Sequence, residues 1–159
     1  MGTIHSLTYQ LSPSEHKEPY HYNRTPAGCL RLIAGHGIEG DFKAGRNPKR
    51  QLNVMALESL QALSQEGWHV GPGEMGEQIV LRGVDLMALA PGSRLRLGDS
   101  AVIEINLART GCDWLAAIQS HDPQDAANRL GMMASVIESG DICVGAPVAV
   151  IHTPEVAAH

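Results

Sequence analysis

The stretch SRLRLGDSAVIEINL, residues 93–107, carries the clearest structural signal in the chain. Two runs of period two, Ser93–Leu97 and Ala101–Leu107, flank Gly98-Asp99. Leu95 and Leu97 alternate on one arm; Ile103, Ile105 and Leu107 alternate on the other. That pattern predicts an antiparallel hairpin with one face turned into a core. Working outward, similar short runs predict strands over Ile4–Leu11, Leu30–Ala34, Gln51–Met55, Gln78–Leu81, Met133–Ile137 and Asp141–Ile151. Turns are marked by Gly35–Gly40, by Ser139-Gly140-Asp141 and by Gly145-Ala146-Pro147.

Helical signals are few. Leu57, Leu60 and Leu63 recur at helical spacing within Ala56–Glu66, and Gly67 supplies a stop. Asp113–Ile118 reads as a short turn of helix. Asp122-Pro123 reads as an N-cap with proline at the first helical position, opening a helix through Leu130 that closes at Gly131. Many short strands with two or three short helices predict a mainly β fold, a closed or nearly closed barrel with helices at its rims.

The chain has 159 residues, with 43% hydrophobic and 18% charged, so it suits one folded domain rather than a disordered segment. We expect a single domain over residues 1–159, its motifs within 30–151, a surface loop over 12–27 and a loose tail over 153–159. Twelve Lys and Arg against seventeen Asp and Glu give a net charge of −5, which argues against nucleic-acid binding and against a polybasic membrane contact. No apolar run is long enough for a transmembrane helix, and Met1–Gln10 lacks the pattern of a signal peptide. Cys29, Cys112 and Cys143 are odd in number and widely spaced, with no C-x-x-C pair. This predicts free thiols in a reducing cytoplasm, with neither a disulfide framework nor a Cys-rich zinc site.

Cys112 is the strongest chemical candidate. It lies in Arg109-Thr110-Gly111-Cys112-Asp113-Trp114, after a strand and at the start of a helical turn. The helix dipole and Arg109 would favour a thiolate, which can be a nucleophile, a sulfur carrier or a soft metal ligand. A structural cysteine is the alternative reading, and it is the favoured one for Cys29 and Cys143. Two glycine-rich acidic turns, Gly37-Ile38-Glu39-Gly40-Asp41 and Pro72-Gly73-Glu74-Met75-Gly76-Glu77-Gln78, can approach a ligand by backbone or simply connect strands. Glu77 and Gln78 could hydrogen-bond a heterocycle. The basic run Arg46-Asn47-Pro48-Lys49-Arg50-Gln51 can bind phosphate or be a solvated loop. The eight histidines show no metal-ligand spacing, and no G-x-S-x-G elbow is present.

In order along the chain, Gly37-x-x-Gly40-Asp41, Arg50-Gln51, Pro72-Gly73-x-x-Gly76-Glu77, Arg82-Gly83-x-Asp85-Leu86, Gly92-x-x-Leu95 with Leu97-Gly98, and Arg109-x-x-Cys112 resemble the MOSC family. That domain is named for the C-terminal part of molybdenum-cofactor sulfurase. The sequence departs from the family pattern at Gly111, where proline is common, and at Gln78, where asparagine is common. The resemblance implies a β-rich barrel and places the family's cysteine at Cys112. It implies a molybdenum cofactor (molybdopterin), with Cys112 as the molybdenum ligand or as a carrier of sulfur. Gly40, Asp41, Arg50, Gln51, Gly76, Glu77, Gln78 and Arg109 would line the cofactor, with its phosphate near Arg50 and beside Arg46 or Lys49. The activity implied is oxygen removal from small N-hydroxylated compounds, with electrons from an external electron-transfer protein. Two alternatives stand beside it: a metal-free persulfide carrier loaded by a cysteine desulfurase, and a barrel that binds without catalysing.

Overall fold

The computed structural model describes residues 2–14 and 17–155. Glu15 and His16 of the expected surface loop, and 156–159 of the expected tail, lie outside the described residues.

The strands in chain order are β1 (Gly2–Tyr9), β2 (Thr25–Ala27), β3 (Cys29–Ile33), β4 (Gly37–Ile38), β5 (Leu52–Ala56), β6 (Ile79–Arg82), β7 (Arg94–Leu97), β8 (Ala101–Ala108), β9 (Met132–Glu138), β10 (Gly140–Cys143) and β11 (Pro147–His152). Helix α1 covers Leu57–Gln65 and α2 covers Asp113–Gln119, with short 3-10 turns at Leu86–Ala88 and Pro123–Ala126. Seven strands close in the order β11-β7-β8-β9-β5-β6-β1, because β1 also pairs with β11. β2 hangs from the far end of β1, and β10-β3-β4 form a separate small sheet. The mainly β barrel expected from the sequence is therefore the fold.

Period-two patterning explains the barrel. Leu95 and Leu97 pair with Ile103 and Ala101 across the β7–β8 hairpin, and all four are buried. Arg94 and Arg96 take the alternate positions. Side chains from β1, β5, β6, β8, β9 and β11 complete the interior cluster, including Ile4, Val54, Ile79, Ile103, Ala134 and Val148. A second cluster lies under the helices: Met55, Leu60, Leu63, Trp68, Met75, Val80, Leu115, Ala126 and Leu130, with Tyr22 packed against it. β5 and its neighbour β6 serve both cores, Val54 and Ile79 turned to one and Met55 and Val80 to the other.

Several details differ from the sequence expectations. β5 and β6 run parallel, joined through α1. The range Asp141–Ile151 holds two strands rather than one, parted at the turn expected at Gly145, whose φ of +90° suits glycine. The helix expected from Asp122 to Leu130 is only the four-residue turn Pro123–Ala126. Its cap is as expected, with Asp122 Oδ1 accepting from Gln124 N at 2.9 Å, but Asn128 turns left-handed at φ +64° and stops propagation.

The free-thiol expectation is corrected. Cys29 and Cys143 are joined by a disulfide, and Cys112 is the one free cysteine. The pair is separated by 114 residues in sequence, yet β3 and β10 place the two cysteines directly opposite each other. Sequence spacing carries no trace of that pairing, which comes from the tertiary fold alone. No helix among the described residues is long and apolar enough to cross a membrane.

Candidate functional site

Cys112 ends the loop that leaves β8 and caps the N-terminus of α2 with extended backbone. Its side chain is exposed. The preceding Gly111 has a steric reason: a Cβ there would lie 2.1 Å from Pro123 Cβ. Proline 123 fills the space a side chain would need, so the turn at Pro123–Ala126 and the cysteine loop fit only with glycine between them.

Three cations share the surroundings of Cys112. Arg109, from the end of β8, hydrogen-bonds Tyr22 and acts electrostatically on it, as Cys112 and Arg24 also do. Arg24, Arg109, Asp41 and Cys112 all act on Lys43. Burial, aided by Arg24 and Arg109, lowers the Lys43 ammonium from 10.5 to about 8. Burial likewise raises the Tyr22 phenol above its ordinary range, against the pull of Arg109.

Arg24 is the most informative member. Its side chain is 1% exposed, and its Nε, Nη1 and Nη2 have no hydrogen-bond partner among the described residues. The nearest carboxylate, Asp41 Oδ1, lies 3.8 Å from Nη1, close enough for an ion pair and too far for a hydrogen bond. A guanidinium buried with all its donors unspent is costly, and native interiors rarely leave such groups unpaired. Five N–H donors in a fixed fork suit an oxyanion.

The glycines of the second acidic turn make room for this arrangement. A Cβ on Gly76, at φ +77°, would meet the Tyr22 ring at 2.7 Å, and one on Gly73 would meet Arg24 Cβ at 2.8 Å. Gly73 and Gly76 therefore let Arg24 and Tyr22 lie flat against the turn. Glu77 stitches that turn internally: its carboxylate accepts from Gly73 N at 2.8 Å and Met75 N at 3.1 Å. Burial raises its carboxyl above the usual range, opposed by those backbone donors and by Arg24.

Asp41 is the hub of a buried network. It accepts from Gln10 N at 2.7 Å, Lys43 N at 3.0 Å and Gln78 Nε2 at 3.0 Å. Gln78 Oε1 in turn accepts from Asn53 N at 2.7 Å. The Gln78 amide thus joins β5 to Asp41 and is spent on the protein itself. Gln51 is also internal, its Oε1 accepting from Val136 N. Gly40 sits at φ +79° with open space where a Cβ would point. Arg50 and Lys49 are exposed, and Arg46 lies over the Phe42 ring at 3.9 Å.

Of the residues expected from sequence, Cys112, Arg109 and Asp41 come together around Lys43. Glu77, Gln78 and Gln51 support the surrounding turns. Tyr22, Arg24 and Lys43 were not singled out by sequence reasoning; Tyr22 and Arg24 belong to the segment expected to be a surface loop. The spacing Gly73-x-x-Gly76 was the available signal, since paired glycines mark a close approach, though not by which residues.

A cleft of about 270 Å³ opens beside Tyr22, lined also by Tyr20, His69, Gly73, Glu74 and Ile118. Trp114 of α2 meets the edges of Tyr20 and Tyr22 at ring distances of 5.4 and 6.5 Å. Larger clefts of about 400 and 500 Å³ share Gly83–Asp85 and are lined by no lysine, arginine or cysteine.

No curated protein matches the sequence closely enough to count. Among solved structures, the fold is similar to the YUAD protein from Bacillus subtilis, with a TM-score of 0.72 and 19% identity over 93% of this chain and 94% of that one. It is also similar to YiiM from Geobacillus stearothermophilus, with a TM-score of 0.71 and 16% identity over 96% and 76%. YiiM from Escherichia coli gives 0.67 and 21% identity over 94% and 70%. At these identities the likeness is one of fold. The sequence pattern of the MOSC domain matches residues 41–149, which is most of the chain and includes Asp41, Arg109 and Cys112; this chain belongs to the MOSC domain family.

Proposed function

We propose that the chain binds a pterin-molybdenum cofactor, with the Cys112 thiolate as a metal ligand, and that the loaded protein removes oxygen from small N-hydroxylated compounds. The observation that carries this reading is Arg24: a guanidinium 1% exposed, with three nitrogens unpartnered among the described residues, beside Lys43 and Arg109. Such a cluster fits an oxyanion, and the exposed thiol of Cys112 adds a soft donor to the same surroundings. A ligand that presents both a phosphate and a thiophilic metal uses every one of these groups.

When bound, the cofactor supplies a two-electron centre that accepts an oxygen atom. The chain's residues do the rest. Arg24, Lys43 and Arg109 hold the anionic end, and Arg109 keeps the Tyr22 phenol against the turn at Gly76. Asp41 fixes the Lys43 backbone and faces Arg24. Lys43, with its ammonium at about 8, holds a proton at neutral pH that it can release. In the overall reaction the N–O bond breaks, two electrons and two protons are taken up, and the oxygen leaves as water. The electrons come from an external electron-transfer protein. A cytoplasmic location goes with this reading: it keeps the Cys112 thiol available and exposes the Cys29–Cys143 bond to cellular dithiols.

Replacing Cys112 by Ser tests the catalytic part: the expected outcome is loss of N-hydroxyl reduction by the cofactor-loaded protein. Turnover retained in that variant would sink the assignment. The exposure of Cys112 also suits a second reading, a persulfide carrier served by a cysteine desulfurase. Alkylation and mass analysis after desulfurase treatment separates the two, because only the carrier accumulates a persulfide at Cys112.

A further inference from the structure

We propose that the Cys29–Cys143 disulfide is a redox-controlled staple for the segment that brings Tyr22 and Arg24 into the site. The inference rests on the anion-binding reading of Arg24 and concerns its regulation. Arg24 is followed at once by β2, a three-residue strand. β2 is the last strand of its sheet, so its ladder partners all belong to β1: Tyr9 with Thr25, Thr8 with Pro26, Leu7 with Ala27. Thr8, opposite Pro26, turns its N–H away to Gln78 O at 2.8 Å, which leaves only the outer pairs Leu7–Ala27 and Tyr9–Thr25 to carry ladder hydrogen bonds. The next residues supply the second anchor. Gly28 O accepts from Val144 N at 2.8 Å, and Cys29 is bonded to Cys143. The covalent bond therefore pins the segment five positions beyond Arg24 to β10, a strand distant in sequence.

Cys29 is exposed and Cys143 is half-buried, so a reductant reaches Cys29 first. The step is thiol–disulfide exchange with a dithiol. One thiolate of the dithiol bonds to the Cys29 sulfur, the Cys29–Cys143 bond breaks, and Cys143 leaves as a thiolate that takes up a proton. The second thiol of the dithiol then displaces Cys29. Two electrons pass to the protein, which ends with two thiols, and the dithiol ends as a disulfide. With the staple open, the segment keeps the β2 ladder, the Gly28 O–Val144 N bond and the β3–β10 pairing but loses its covalent anchor, and Arg24 spends less time seated on Gly73.

The test uses the full chain without cofactor and sulfate as the probe, in the oxidised form, after dithiothreitol, and as Cys29→Ser with Cys143→Ser. Thiol alkylation checks the states, rising from one cysteine to three on reduction. If the open form leaves Arg24 seated about a tenth to a third of the time, apparent sulfate affinity falls about threefold to tenfold. Tryptophan emission should also change on reduction without ligand, because Trp114 contacts Tyr20 and Tyr22. Both effects should appear in the double variant without reductant. Three thiols alkylated before reduction would overturn the staple outright. Tight sulfate binding with affinity and emission unmoved by reduction would overturn the staple and leave the site reading standing. No sulfate binding in any form would overturn the site reading, and this inference with it.

Discussion

Lys43 offers a prediction in which one titration acts with opposite signs on two measurements. Its ammonium falls from 10.5 to about 8 in the folded protein, first through burial and then through Arg24 and Arg109. Without ligand, the unfolded chain keeps the proton at pH values where the folded chain has released it. Stability from this group therefore rises as pH increases from about 8 to 10.5, by at most about 3 kcal/mol across the whole window. A bound dianion reverses the preference, because it restores the value of the charge. Losing one charge-assisted contact costs about 1.5–3 kcal/mol, so sulfate affinity should weaken by a factor of about ten or more between about pH 7 and pH 9.5. Sulfate keeps its charge over this range, and the Tyr22 phenol, raised by burial, stays protonated in it. The assay is calorimetric titration of the cofactor-free protein with sulfate at fixed ionic strength, beside Lys43→Arg. The arginine variant should bind at both pH values with a much flatter profile. Equal pH dependence in the wild type and in Lys43→Arg would refute the role given to Lys43.

Two substitutions probe the other parts of the site. Arg24→Met removes a buried charge whose donors are unspent, while Asp41 keeps its three N–H partners; the thermal midpoint should hold or rise, and sulfate binding should be lost, as expected where function holds a costly group in place. A midpoint lowered by more than about 5 °C would instead make Arg24 a structural partner of Asp41. Gly111→Ala puts a Cβ 2.1 Å from Pro123 Cβ, so it should cost about 1–3 kcal/mol in denaturant titration as the two turns are forced apart; unchanged stability would show that the contact relaxes freely.

The barrel was legible where a local pattern dictates it. Leu95, Leu97, Ile103 and Ile105 alternate because one face of the hairpin is core, and Leu57, Leu60 and Leu63 mark α1 for the same reason at helical spacing. The place of Cys112 at the start of α2 was legible, because it follows Gly111 between a strand pattern and an acidic helix start. What could not be seen is what depends on packing between distant segments. Arg24 and Tyr22 sit in a proline-rich, polar stretch whose composition says surface, and packing against Gly73, Gly76, Asp41 and the helix-side cluster covers them. Lys43 has a lowered ammonium because packing buries it and brings Arg24 and Arg109 beside it from elsewhere in the chain. Arg50, chosen for its basic neighbours, is exposed, whereas Gln78, chosen as a ligand contact, spends its amide on Asn53 and Asp41. The Cys29–Cys143 bond follows from the β3–β10 register and from nothing local.

The most direct test of the account is the molybdenum and pterin content of the protein purified from a host that makes the cofactor, beside a Cys112→Ala variant. The account predicts near-stoichiometric molybdenum and pterin with the wild type, and loss of the metal from the variant while its fold is kept. Folded wild-type protein that carries neither molybdenum nor pterin would contradict it.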